Sequence, residues 1–272
     1  MAKPLMLFEN ILDDTGSTLT VTTTPASGFP ITNIYDWRIA TAYRWKSGSL
    51  TVLQNIDIDL GDGITASPNT VALAGHNFGT ESATYRVYHS DGGAYTAVTS
   101  AIAPTTDLPS LTTFTGSAHR YWRVAIGGET WTNAPQIGVL VLGRRLDFTE
   151  PTQFDLDPYG ERAVVEDSAN ESGSWIGTNV RYTVKQFNLN YDEPGFTKTG
   201  FFAPAAGLGF DADFVPHAIR SAKPFFFNWN IDVDPTENYL CKVMNYDVRM
   251  PFVGSTARRS LFCSFEARRE IT

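Results

Sequence analysis

From Ile56 to Gly63 the chain reads Ile-Asp-Ile-Asp-Leu-Gly-Asp-Gly, apolar and acidic residues in strict alternation closed by glycine. Successive side chains of a strand point to opposite faces, so a period of two describes a strand with one buried and one wetted face. A helix would repeat its apolar positions at three and four residues instead. The same period returns along the chain. Tyr85-Arg86-Val87-Tyr88 and Tyr95-Thr96-Ala97-Val98 flank Ser90-Asp91-Gly92-Gly93, a tight turn with glycine available for positive φ. Arg120 to Ile126 alternates and turns at Gly127-Gly128. Val71 to Gly75 and Ile137 to Leu142 are short apolar runs, and residues 13 to 33 are polar around one alternating piece, Leu19-Thr20-Val21. Short strands at near-regular spacing with Gly, Pro and Asp turns predict a sandwich or jelly roll.

At 272 residues the chain exceeds the usual size of one domain. The segment Asp147 to Pro158 holds two prolines and few paired apolar positions, which suits a linker, so the expected domains are 1–147 and 148–272. The second resumes with strands. Alternation from Val180 to Tyr191 is long for a globular strand. It is read either as a strand that extends a sheet across a subunit boundary or as one arm of a long hairpin. One helix is predicted, Asp213 to Ala222, with Asp213 as N-cap and Pro216 in its first turn. Phe225-Phe226-Phe227-Asn228-Trp229 is the most aromatic run, and strands at 239–249 and 260–267 close the chain. Cys241 and Cys263 each lie in an apolar strand, as reduced buried thiols or as a cross-strand disulfide; neither has a second ligand nearby for a metal.

Hydrophobic residues at 42% supply a real core, charged residues at 18% are too few for disorder, and aromatics at 13% favour strands. A net charge of −8 argues against nucleic acid, whose phosphates need a basic face. The apolar run after Lys3 is broken by Glu9 and Asn10, too short for a secretion signal, and no stretch is long enough to insert in a membrane. The expectation is a product made in the cytoplasm. Of the four histidines, His76, His89, His119 and His217, none pairs with another at metal-ligand spacing, and each reads as a structural hydrogen-bonding residue. Nucleophile elbows, phosphate-cradling loops and dinucleotide fingerprints are missing from the sequence. Asp57 and Asp59 share one strand face, the wetted side of an antiparallel sheet. Asp232 to Asn238 imitates a calcium loop but lacks its turn glycine, and reads as a surface turn. The sequence therefore nominates no catalytic residue, cofactor site or metal site, and a binding or structural role is expected over an enzyme.

Tyr35 to Gly143 resembles a discoidin-type jelly roll. The residues that carry this are Asp36, Thr41 and Trp45-Lys46-Ser47, then Ile56 to Gly61, Leu73-Ala74-Gly75-His76-Asn77, Tyr88-His89-Ser90-Asp91-Gly92, Ala118 to Arg123, Gln136-Ile137-Gly138-Val139 and Leu142-Gly143. The cysteine pair that bridges the termini of many secreted members is missing. Ala74-Gly75-His76-Asn77 together with Arg120-Tyr121-Trp122-Arg123 is similar to versions in the tails of long-tailed phages. Lys223 to Trp229 and the closing antiparallel strand resemble the β domains of phage tail-tip proteins. The fold implied is all-β: an N-terminal discoidin-like jelly roll and a C-terminal β-barrel or sandwich domain with one short helix.

What these resemblances imply is a distal-tail or baseplate subunit of a phage virion. Its partners would be other tail or baseplate proteins, a homo-oligomeric ring, and a host cell-surface glycan met by the projecting jelly roll. A free carbohydrate-binding module is the alternative, and a glycan-degrading enzyme the second. In this fold Trp45 and Trp122 fall at core positions. Ligands of the family bind loops at one end of the barrel, where this chain offers Tyr35, Trp37, Arg38, Tyr43, Trp131 and Asn133. An exposed aromatic beside Arg38 or Asn133 suits a sugar, which has an apolar face and many hydroxyls.

Overall fold

The computed structural model describes residues 4–13, 16–51, 53–127, 130–148, 161–169, 171–172, 175–197, 201, 207–251 and 258–268. The chain divides into two compact units. One comprises Met6–Leu146 with Asp234–Asn238, the other Met1–Leu5, Asp147–Val233 and Tyr239–Thr272. Most of the expected linker, 149–158, lies outside the described residues.

After β1 (Leu5–Leu7), the first unit is built from β2 (Thr18–Val21), β3 (Trp45–Lys46), β4 (Gln54–Asp59), β5 (Thr70–Ala74), β6 (Thr84–Ser90), β7 (Thr96–Ala97), β8 (Ser110–Thr113), β9 (Tyr121–Gly127), β10 (Gln136–Ile137) and β11 (Val139–Gly143). These form a five-stranded sheet in the order β2-β4-β9-β6-β7, a three-stranded sheet β11-β5-β8, and the short pair β10-β3. The alternation in sequence becomes a two-faced sheet: Gln54, Ile56 and Ile58 of β4 are buried while Asn55, Asp57 and Asp59 are half-exposed. Register carries this across the sheet, with Ile58 opposite Trp122 and Asp57 opposite Arg123. On the wet face Arg123 pairs with Asp57 and Arg120 with Asp59 at 2.7 Å, so both carboxylates are committed to ion pairs. The apolar runs β5 and β11 pair with each other and are buried throughout.

The core between the sheets includes Trp45, Ile58, Phe78, Tyr85, Trp122 and Leu142. Trp45 and Trp122 are both fully buried, as expected of them. Each large apolar side chain removed from water contributes on the order of 1.5–3 kcal/mol. The opening and closing segments of this unit are tied together. Asn10 donates from Nδ2 to the Leu140 carbonyl at 3.0 Å and accepts from the Leu142 N–H at 3.2 Å, while Arg144 pairs with Glu9. Gly143 allows this approach, because a Cβ there would collide with the Glu9 carbonyl.

After β12 (Arg145–Asp147), the second unit contains β13 (Glu161–Ala169), β14 (Trp175–Thr197), the helix Phe210–Arg220, β15 (Phe225–Asn228), β16 (Asn238–Arg249) and β17 (Arg258–Arg268). Strands β15, β16, β17, β14 and β13 follow one another in one open sheet, not the closed barrel that was one of the two expected forms. Phe187, Leu189 and Tyr191 of β14 face the core with Phe225, Phe227 and Phe265. The Phe227 and Phe265 rings meet edge to face at 4.7 Å, an arrangement their quadrupoles favour. Cys241 and Cys263 are buried thiols not joined in a disulfide, the first of the two states left open; burial, with Cys263 beside it, pushes the Cys241 thiol well up.

The helix differs from expectation in start and winding. It begins at Phe210 rather than Asp213, and bonds such as Phe214 N–H to Gly209 C=O (3.2 Å) and Ser221 N–H to Pro216 C=O (3.0 Å) span five residues, the wide π form. Asp213 is not the residue that opens the helix: its carboxylate reaches back to the Gly209 N–H at 2.6 Å. Pro216 supplies no N–H inside the helix, and the burial of Phe210, Phe214 and Ala218 fixes the face against the core. Among the described residues no helix is long and apolar enough to cross a membrane.

Candidate functional site

The loops 31–44, 75–83, 104–109 and 130–138 gather at the end of the jelly roll opposite Glu9 and Arg144. This follows from strand direction: β5 and β9 run towards these loops, β11 runs away from them, and Gly138 N–H bonds to the carbonyls of Ala74 and Gly75 at 3.1 and 3.0 Å. Gly75 makes the packing possible. Its φ of +62° is left-handed, and a Cβ there would press on Ile39.

Segment 31–44 is two short 3₁₀ turns, Ile31–Tyr35 and Thr41–Tyr43, with Trp37 between them. Trp37 takes φ 63°, rare for a bulky side chain. The residues on either side of it lock the turn. Asp36 accepts from the Arg38 N–H at 2.9 Å and from its Nε at 2.8 Å, and the Arg38 guanidinium lies over the Tyr43 ring, 4.3 Å from the centroid. The Arg38 side chain is 56% exposed and Tyr43 46% exposed. From behind, Arg44 donates to the Ile39 carbonyl at 2.8 Å and Asn33 to the Arg44 carbonyl at 3.0 Å.

The neighbouring loops are held by Asn77 and Asn133 together with Thr80, Glu81 and Asp107, three groups that nothing in the sequence marks. Asn77 donates to the Ala134 carbonyl and accepts from the Gln136 N–H, at 3.1 and 2.8 Å. Glu81 accepts from the Asn133 N–H and Nδ2 at 2.9 and 2.8 Å. Burial acts to raise the Glu81 carboxyl, but these hydrogen bonds outweigh it and hold the group below its ordinary range. Thr80 is fixed through its N–H and hydroxyl by Asp107. His76, in the same loop, is buried and accepts the Phe78 N–H at Nδ1; burial lowers it to about 4, so it stays neutral.

The six candidates therefore separate. Arg38 and Tyr43 are exposed and in contact. Asn133 is exposed, with its amide nitrogen engaged by Glu81, and Tyr35 is half-buried against the core. Trp37 and Trp131 are 7% and 4% exposed. Neither offers the open face a sugar ring would stack on; they are loop-end core residues, which corrects the expectation of exposed loop aromatics at these two positions. Among the described residues no three of His, Cys, Asp and Glu group as metal ligands. The histidines hold structure: His119 bonds Asp91 and Ser117 and stacks on His89 at 3.6 Å, and His217 bonds the Pro224 carbonyl. The calcium-loop imitation closes as a turn through Glu237 N–H to Asp234 C=O at 3.2 Å.

What the loop end can do is bind. A guanidinium stacked on a phenol ring keeps donors directed outward in a fixed plane, beside a ring edge for apolar contact. No protein-family model matches the chain, and no curated protein matches it. Among solved structures, half of the chain is similar in fold to a GH29 fucosidase of Ruminococcus gnavus in complex with fucose (18% identity, TM-score 0.41, 50% of this chain and 26% of that one). It is also similar to the family 32 carbohydrate-binding module of Streptococcus pneumoniae EndoD (17%, 0.41, 50% and 99%) and to the module CpGH89CBM32-6 of Clostridium perfringens (17%, 0.38, 49% and 98%). The match spans about a quarter of the fucosidase chain and nearly all of each module.

Proposed function

We propose that the jelly roll is a non-catalytic glycan-binding module that reads sugar through the Asp36–Arg38–Tyr43 surface. The observation that carries this is the Arg38–Tyr43 stack, a preorganised donor plane on an exposed loop end whose supporting residues are buried or hydrogen-bonded. Arg38 supplies hydrogen bonds to ring hydroxyls, and Tyr43 supplies its edge and hydroxyl. Such a shallow site binds at about millimolar strength, roughly 4 kcal/mol. Titration of a glycan panel against the chain and its Arg38→Ala and Tyr43→Ala variants tests it. Both variants should melt as the parent does and bind more weakly; stable variants that bind as well as the parent would remove this surface from consideration.

A second reading puts the module on a phage tail tip or baseplate, the second unit joining identical copies in a ring. The feature in its favour is β14, a strand of 23 residues in an open sheet whose outer strand is β13. Rings of identical subunits close through head-to-tail contacts, and an extended sheet edge can supply one side of such a contact. Several copies on one particle would raise a weak glycan affinity by orders of magnitude. Co-migration of the protein with particles in a density gradient tests this reading, and a monomer missing from purified particles would end it.

A further inference from the structure

The wetted face of the second unit's sheet carries a groove of about 890 Å³, inside the range of roughly 300–1,000 Å³ typical of small-ligand sites. Alternation along β14 builds its floor. Phe187, Leu189 and Tyr191 turn into the core, which places Gln186, Asn188 and Asn190 in a row on the opposite face. Across the ladder Asn188 stands opposite Ser264 and Asn190 opposite the half-buried Phe262. One wall arises from an interruption in pairing. Between Val243 and Val248, β16 advances five residues while β17 advances from Phe265 to Cys263 only, so β16 bows away from the sheet. Irregularities of this kind re-aim side chains and cluster at binding sites.

We propose that this groove is a second carbohydrate site, separate from the jelly roll's loop end, and that it takes a neutral oligosaccharide. Side-chain amides donate and accept in one fixed plane, as vicinal sugar hydroxyls require, and three in succession match a chain of such hydroxyls. Phe262 offers the apolar surface for the C–H face of a sugar ring. Among the described lining residues none is acidic and Arg249 is the one cation, so the lining selects by hydrogen bonding rather than by charge. Part of the row is already fixed: Ser264 donates to Asn188 Oδ1 at 2.7 Å, which directs the Asn188 amide nitrogen away from Ser264. Asn190 Oδ1 is buried with no hydrogen-bond partner among the described residues, an acceptor that gains a donor when its amide turns to a ligand hydroxyl.

The test uses the full chain in two backgrounds, parent and Arg38→Ala with Tyr43→Ala, titrated with neutral hexose and N-acetylhexosamine oligomers. The loop variant should keep residual binding, and adding Gln186→Ala with Asn188→Ala should weaken that remainder by at least about tenfold without changing the melting curve. Equal binding with and without the groove substitutions, or no residual binding in the loop variant, overturns the proposal. So does a change in sedimentation coefficient with unchanged glycan affinity, which would make the face a protein interface. If loop substitutions have no effect while groove substitutions abolish binding, the groove stands and the loop-end reading falls.

Discussion

His76 shows how burial decides a residue's chemistry. It lies 1% exposed beneath the loop end, with Nδ1 accepting the Phe78 N–H, and burial lowers it to about 4 from an ordinary 6.5. In the unfolded chain it takes a proton near pH 6.5; in the folded chain it refuses one until about pH 4. Between those values the unfolded state binds more protons, so stability falls as pH drops through this window and levels off below it for this group. The size is on the order of 3 kcal/mol. Chemical denaturation of the parent at pH 7 and pH 4.5 should show that loss, and a His76→Asn variant should show a smaller pH slope. An equal slope in both would mean that other groups carry it. The hydrogen-bonding role of this residue is legible in sequence, while its burial depends on a loop that only the fold assembles. The same limit governs Trp37 and Trp131: their place on loops can be read from Gly, Pro and Asn punctuation, but which loop residue is drawn inward is set by tertiary packing.

At the scale of elements, periodicity reads well wherever one face is wet. Ile56 to Leu60 and Arg120 to Ile126 fold as the strands their alternation requires, and pair directly. Two kinds of feature stay illegible. The helix Phe210–Arg220 winds wide around Pro216 because its aromatic face must reach the core, a demand that local capping signals do not encode. Nor does the sequence mark Asn10 as anything but a break in an apolar run, since its partners lie 130 and 132 positions away. Yet it is 6% exposed and satisfies two backbone groups of β11. Asn10→Ala leaves the Leu140 carbonyl and Leu142 N–H short of partners, and each such buried group costs about 1–3 kcal/mol. Urea denaturation should therefore show a loss of about 2–6 kcal/mol for this variant, against less than about 1 kcal/mol for Glu9→Gln at the adjacent, partly exposed ion pair with Arg144. A near-neutral Asn10→Ala would mean that water replaces the side chain.

For the whole molecule, the question is whether the jelly roll stands by itself. Its core cluster, among the described residues, runs from Ile11 to Leu142. Both sheets are completed by strands within that span, and the ends are clipped by Asn10 and by Glu9 with Arg144 before the chain leaves. A domain of about 150 residues buries roughly 68–70% of the surface its unfolded chain exposes, enough for an independent cooperative fold. Residues 1–148 expressed alone should therefore melt in a single transition, with calorimetric and van't Hoff enthalpies equal within error. That fragment should also retain the loop-end glycan affinity of the full chain, because Arg38, Tyr43 and every residue that holds them lie inside it. The small segment Asp234–Asn238, which groups with the jelly roll although it is distant in sequence, is the part of that unit such a fragment lacks. A fragment without a cooperative transition would show that this segment, or the unit that carries it, is needed to close the fold. A transition at the parent's temperature would show that the segment adds little, and that the jelly roll is an autonomous module on a separate β platform.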